Sequence, residues 1–191
     1  KSTEISLVIK IPEMLTTSQT EYLLSLSKYV VDKDGNKIDG ITIDIDAVYD
    51  HRILLQAIDA DTEYDFLLRV WRSKKYTLSL TLHVQDNESK DCITRIDYGA
   101  PHTNPNKILD VLPKKFHPFA GCIIQEPHIH YNIDGYKIAS WALPLSEAKF
   151  SPDKLENSGF RINFTEAICN FAQLINIKTP ITVNVPTKLF T

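Results

Sequence analysis

Two short stretches hold most of the residues able to move protons or grip phosphate. One is Arg95-Ile96-Asp97, with His102 shortly after; the other is Glu126-Pro127-His128-Ile129-His130-Tyr131. Residues two apart in a strand face the same way, so His128 and His130 should project together, as should Arg95 and Asp97. Glu126 joins the histidines if Pro127 introduces no bulge. Two imidazoles and a guanidinium suit cleavage of an RNA phosphodiester. One imidazole deprotonates the ribose 2′-OH, the other protonates the leaving 5′-oxygen, and the guanidinium stabilises the phosphorane oxygens. We therefore assign acid/base work to His128 and His130, an auxiliary role to His102, phosphate binding to Arg95, and tautomer orientation to Asp97. Tyr131, Glu126 and His117 are candidates for substrate contact. The scheme calls for no metal and no cofactor.

Other readings of the same residues stay open. His-x-His on a strand is also how cupin-like proteins present imidazoles to Fe, Mn or Zn, and Asp134 would complete a 2-His-1-carboxylate set. The second cupin motif, with its Pro-x-Gly turn and distal His, is absent. A further reading makes the histidines hydrogen-bonded structural groups around a Pro-rich loop, the one we prefer for His51, His83 and His117. A non-enzymatic alternative rests on Asp44 and Asp46, with Asp32, Asp34 and Asp39 nearby. These could present phosphate-like charge to a basic channel, as a phage or mobile-element inhibitor of a host RNA-guided nuclease (anti-CRISPR type) would.

The elements that must position these groups are mostly strands. An N-terminal arm, residues 1–12, reads as a short strand closed by Pro12. Ser18 and Glu21 have capping-box spacing for a short helix ending near Ser27. Tyr29-Val30-Val31, the turn Asp34-Gly35-Asn36 and the alternating Ile41, Ile43 and Ile45 predict a hairpin. Glu63 to Arg72 and Tyr76 to Val84, joined by Ser73-Lys74-Lys75, predict a second. Cys92 to Tyr98 continues the meander. Ile123 to Ile133 and Tyr136 to Leu143 predict a third hairpin, turning at Asp134-Gly135. Between them, residues 99–121 form a long Pro-containing loop of the kind that often carries function, with a helical turn expected over Asn106 to Leu112. Asn163 and Glu166 cap a C-terminal helix with an apolar stripe, and Ile181 to Val185 is a last strand. The sum is one α+β domain over residues 1–191: a mainly antiparallel meander of about six to eight strands, with one N-terminal and one C-terminal helix packed on it.

The bulk numbers narrow the function classes. A net charge of -3 argues against coating nucleic acid by bulk electrostatics, so an RNA or ribonucleoprotein contact must be local. Arg69, Arg72, Lys74, Lys75, Lys114 and Lys115 could supply one. The three cysteines form no C-x-x-C pair and read as small core residues in a reducing, cytoplasmic setting. No apolar run approaches the ~20 residues that span a bilayer, and the first residues lack a signal-peptide plan, so no membrane partner is expected. Oligomeric state is not legible.

The stretch Thr94 to His102, with Glu126 to Tyr131, resembles small bacterial and archaeal proteins with an R-x-D...H...H-x-H pattern, including TumE-type toxins of toxin-antitoxin modules. Tyr64 to Leu145, including Phe116-His117-Pro118 and Trp141-Ala142-Leu143-Pro144, also resembles an uncharacterised bacterial and mobile-element family. The toxin resemblance implies action on RNA and an antitoxin partner. The chain departs from that pattern in having Tyr98 where Asn is common, a single His102 rather than a doubled His, and a long insertion before His128.

Overall fold

The structure is a computed structural model that describes residues 15–45, 48–72, 78–85, 90–155 and 160–185. The expected N-terminal arm, the Ser73-Lys74-Lys75 connection, Tyr76 and Asp46 lie outside the described residues.

The first helix, α1 (Thr17–Ser25), is capped two residues earlier than expected. Thr16 accepts from the Gln19 backbone while Gln19 reaches back to the Thr16 N–H, a capping box that displaces the Ser18 and Glu21 assignment. Then come β1 (Tyr29–Val30), β2 (Ile41–Asp44), β3 (Tyr49–Asp59), β4 (Thr62–Arg72), β5 (Leu78–Gln85), β6 (Cys92–Tyr98) and β7 (His102–Thr103). A 3-10 helix (Lys114–Phe119), β8 (Ile123–Ile124), β9 (His128–Tyr131), β10 (Trp141–Pro144), α2 (Leu145–Ala148), α3 (Phe160–Leu174) and β11 (Ile181–Asn184) complete the chain.

Seven strands form one sheet in the order β1-β3-β4-β5-β6-β9-β10, every pair of it antiparallel. The fold class is therefore the expected α+β meander, with four corrections of detail. First, β1 and β2 do not form a hairpin: β1 pairs with β3, while β2 pairs in parallel with β11 as a separate two-stranded sheet. The turn between them is built by Asp32, whose carboxylate accepts from the Asp34 and Asn36 backbone, and it sends the chain away from the main sheet. Second, β3 carries no clean alternation, because Ile53-Leu54-Leu55 interrupts the period, and it was not expected. Its hairpin to β4 turns at Ala60, held at φ +50, where neither Gly nor Asn marks the left-handed backbone. Third, Asn163 lies inside α3 rather than at its N-terminal cap. Fourth, the helical segment of the long loop is Lys114–Phe119, not Asn106 to Leu112.

Strand alternation divides the sheet into two faces. One carries Phe66, Leu68, Val70, Leu80, Leu82, Ile96 and Ile129, which join Phe164, Ala167, Ile168 and Phe171 of α3 in the main core. A second cluster extends that core beyond the β10 edge, where Phe116 and Leu112 pack with Trp141, Leu143 and Ile133. The opposite face presents Ser79, Thr81, Arg95, Asp97, His128 and His130. None of the described helices is long and apolar enough to cross a membrane.

Candidate active site

The polar face is assembled by register. β6 pairs with β9 so that Arg95 stands opposite His130 and Asp97 opposite His128. Direct antiparallel partners share a face, so all four side chains gather on the side away from the core. His102 reaches them from β7, which pairs with β8 rather than with the main sheet. Its ring centroid lies 4.5 Å from that of His130 and 5.7 Å from that of His128, and the His128 and His130 rings are 4.9 Å apart. The structure thus brings Arg95, Asp97, His102, His128 and His130 into one cluster.

Each imidazole is oriented by a backbone carbonyl. His128 Nδ1 donates to Glu126 O, His130 Nδ1 to Ala139 O, and His102 Nε2 to Ser140 O, each at 2.9 Å. A carbonyl only accepts, so these nitrogens carry the protons. In the neutral rings the lone pairs are Nε2 of His128 and His130 and Nδ1 of His102. Burial holds His102 and His128 below the ordinary histidine range, against the pull of their carbonyl partners, and keeps both neutral at pH 7. The Ala139 carbonyl is aimed by a backbone at φ +52, with its N–H fixed on Asn132 Oδ1.

Charge enters through Asp97 and Arg95. Asp97 Oδ2 lies 3.1 Å from His130 Nε2, 3.9 Å from His128 Nε2 and 2.8 Å from Arg95 Nε. Burial pushes its carboxyl up, but His130, the Arg95 guanidinium and the Ser79 hydroxyl outweigh this and hold it below the usual carboxylate range. Arg95 also places Nη2 2.9 Å from His130 Nε2. Access is uneven. The His128 and His130 side chains are 1% and 0% exposed and Asp97 10%, whereas Arg95 is 37% exposed and His102 is half-buried. Solvent therefore meets Arg95 and His102 before the buried pair.

A family model matches residues 15–177, a span that includes the whole cluster. The chain belongs to DUF6978, a family of unknown function. Comparison with curated proteins and with solved structures returns no match.

In this DUF6978 chain the remaining candidates stand elsewhere. Tyr131 is on the core face, its ring 5.2 Å from that of Phe116. His117 donates locally, its Nε2 3.1 Å from the Leu112 carbonyl. Glu126 precedes β9, exposed, and only its carbonyl serves the cluster. Asp134 cannot complete a 2-His-1-carboxylate set, because it lies in the turn and accepts from the Thr17 N–H at 2.7 Å. His51 and His83 bond the Asp44 and Lys90 carbonyls. Arg72 is no surface cation: it is fully buried, its guanidinium 4.8 Å from the Phe164 ring. Arg69 is held by Asp50. Cys122 is exposed rather than core, and burial pushes the Cys92 thiol up to about 12, which leaves it inert. Sequence reading missed Ser79, which stands opposite Asp97, and the three orienting carbonyls. Ser79 carried a signal, as a polar member of the alternating β5 pattern; a backbone carbonyl carries none.

Proposed function

We propose that this centre cleaves RNA phosphodiester bonds by acid/base chemistry, acting in the cytoplasm as a toxin or mobile-element effector. The observation that carries the reading is the half-exposed Arg95 guanidinium, anchored on Asp97 and His130, beside the neutral His102 ring.

Arg95 receives a phosphate at its open edge, where a planar fork binds two oxygens at once. His102 Nδ1 takes the proton of the ribose 2′-OH. The O2′–P bond forms, the P–O5′ bond breaks, and the proton returns to the leaving 5′-oxygen. The products are a 2′,3′-cyclic phosphate and a 5′-OH, with Arg95 offsetting charge on the phosphorane. This moves the proton work to His102, because His128 and His130 lie out of solvent; these two, with Asp97, hold the guanidinium in place.

The test is cleavage of labelled RNA by purified wild type, His102→Ala and Arg95→Ala, with end-group analysis of products. General acid/base groups contribute roughly 10²–10⁴-fold, and both variants should lose activity on that scale while keeping their far-UV circular dichroism. Wild type that leaves a panel of single- and double-stranded RNAs intact, or a folded His102→Ala variant with full activity, refutes the proposal.

A further inference from the structure

The cluster leaves one electrostatic problem that Arg95 solves only in part. Asp97 Oδ2, His128 Nε2 and His130 Nε2 lie within 4.8 Å of one another, and all three residues are buried. With both Nδ1 protons committed to carbonyls, both Nε2 atoms turn to the one carboxylate, His130 at hydrogen-bonding distance and His128 at 3.9 Å, and such a set draws a positive charge among its members. Arg95 supplies one to Asp97 and His130. It does not satisfy His128 Nε2, a buried nitrogen without a hydrogen-bond partner among the described residues. Burying such an acceptor unpaired forfeits its hydration with nothing in return.

We infer that Asp97, His128 and His130 bind a first-row divalent transition-metal ion, each donating one atom. The donor set is two imidazole nitrogens and one carboxylate oxygen, which suits Zn²⁺, Fe²⁺ or Co²⁺ and not Mg²⁺, an ion that prefers all-oxygen sites. The supports are those of metal-ligating histidines: each ring donates its far N–H to a fixed carbonyl, which sets the tautomer and aims the lone pair inward. The ion enters from the side of Arg95, the exposed member, and displaces its guanidinium toward solvent. The inference goes beyond the RNA reading, which describes the metal-free arrangement of Arg95, and does not depend on it.

The experiment uses purified full chain, stripped with a chelator, then titrated calorimetrically with Zn²⁺, Co²⁺ and Mg²⁺, with bound metal measured by elemental analysis. One Zn²⁺ or Co²⁺ per chain is expected, Mg²⁺ should give no binding heat, and Co²⁺ should show a visible ligand-field spectrum. His128→Ala and Asp97→Asn, checked for folding by circular dichroism, should lose that uptake. Arg95→Ala separates the two ways of balancing the charge: with the competing cation removed, Zn²⁺ affinity should rise, by about tenfold if ~1.4 kcal/mol of guanidinium contact no longer has to be broken. No stoichiometric uptake by wild type, uptake retained in both folded ligand variants, or an Arg95→Ala affinity that fails to rise overturns the inference. Uptake without RNA cleavage sinks the RNA proposal alone; cleavage by a chain that takes up no metal sinks this one alone.

Discussion

Lys28 gives a pH prediction that the structure fixes in sign. Its ammonium is fully buried and lies 2.6 to 3.2 Å from the carbonyls of Leu23, Leu24, Leu26 and Ile175, with the Phe66 ring centroid 4.8 Å away. Three of these carbonyls end α1 and would otherwise lack acceptance partners; the fourth follows α3, so one side chain ties two helix ends together. Burial pushes its pKa down to about 7, while the unfolded chain keeps the ordinary value near ~10.4. Between these two values the unfolded state binds more protons, so stability rises with pH in that window, by about 1.4 kcal/mol per unit. Below pH 7 the contribution is flat and the cost is fully present. Urea unfolding of wild type and Lys28→Met from pH 6 to 10 reads this directly. The methionine variant loses the carbonyl contacts and does not titrate, so wild type should gain on it by roughly 2–3 kcal/mol between pH 7 and 9. Parallel curves across that range would refute the reasoning, and would mean that the carbonyls keep the ammonium charged despite its burial.

Asp97 has the same sign in a more acidic window: its folded pKa is lowered, so its contribution is present above the unfolded value and is lost as pH falls through the folded one. Acid unfolding of Asp97→Asn should therefore show a shallower limb below about pH 4, and an unchanged limb would count against the pairing. Asn104, 2% exposed, exchanges both hydrogen bonds with Ala142 on the edge strand β10 and also donates to Phe119 O. Asn104→Ala should cost about 2–3 kcal/mol in denaturant melts and speed amide exchange at Ala142. Gly121 sits at φ +68, where a Cβ would meet Asn106 Oδ1 at 2.0 Å; Gly35, at φ +82, would meet nothing among the described residues within 4 Å. Gly35→Ala should thus cost only the backbone term of roughly 1–2 kcal/mol, and Gly121→Ala distinctly more; equal losses would refute the steric part.

The strands of the sheet were legible where apolar and polar residues alternate. β5 shows this best, with Leu78, Leu80, Leu82 and Val84 at 1% exposure or less and Ser79, Thr81 and His83 between them. The alternation also placed Arg95 with Asp97 and His128 with His130. It could not place one pair against the other, because the register of β6 on β9 depends on a crossover past β7, β8 and the 3-10 helix. β3 escaped notice for a local reason, the Ala60 turn. The β2 and β11 pairing escaped for a global one: parallel partners far apart in sequence leave no short-range trace. Tyr131 and His117 were placed at the site by proximity in sequence, yet alternation itself sends Tyr131 to the face opposite His130.

The burial of Asp97, His128 and His130 is itself an argument for function. Buried ionic groups are weak sources of stability, and apolar residues of similar volume often do as well or better. Here the chain encloses three such groups on the face that its core does not need. It does so with a long segment that closes over them through His102, Asn104 and the Ser140 carbonyl. The Nδ1 atoms of His128 and His130 are both fixed on carbonyls, while His128 Nε2 is left without a hydrogen-bond partner among the described residues. A purely structural polar network would satisfy that atom first, since the unmet acceptor is its largest cost. An arrangement that fixes the tautomers and leaves a lone pair open is what a ligand site requires. The exposed edge of Arg95 then sets where an anionic substrate approaches, over a charge that the buried triad holds from below.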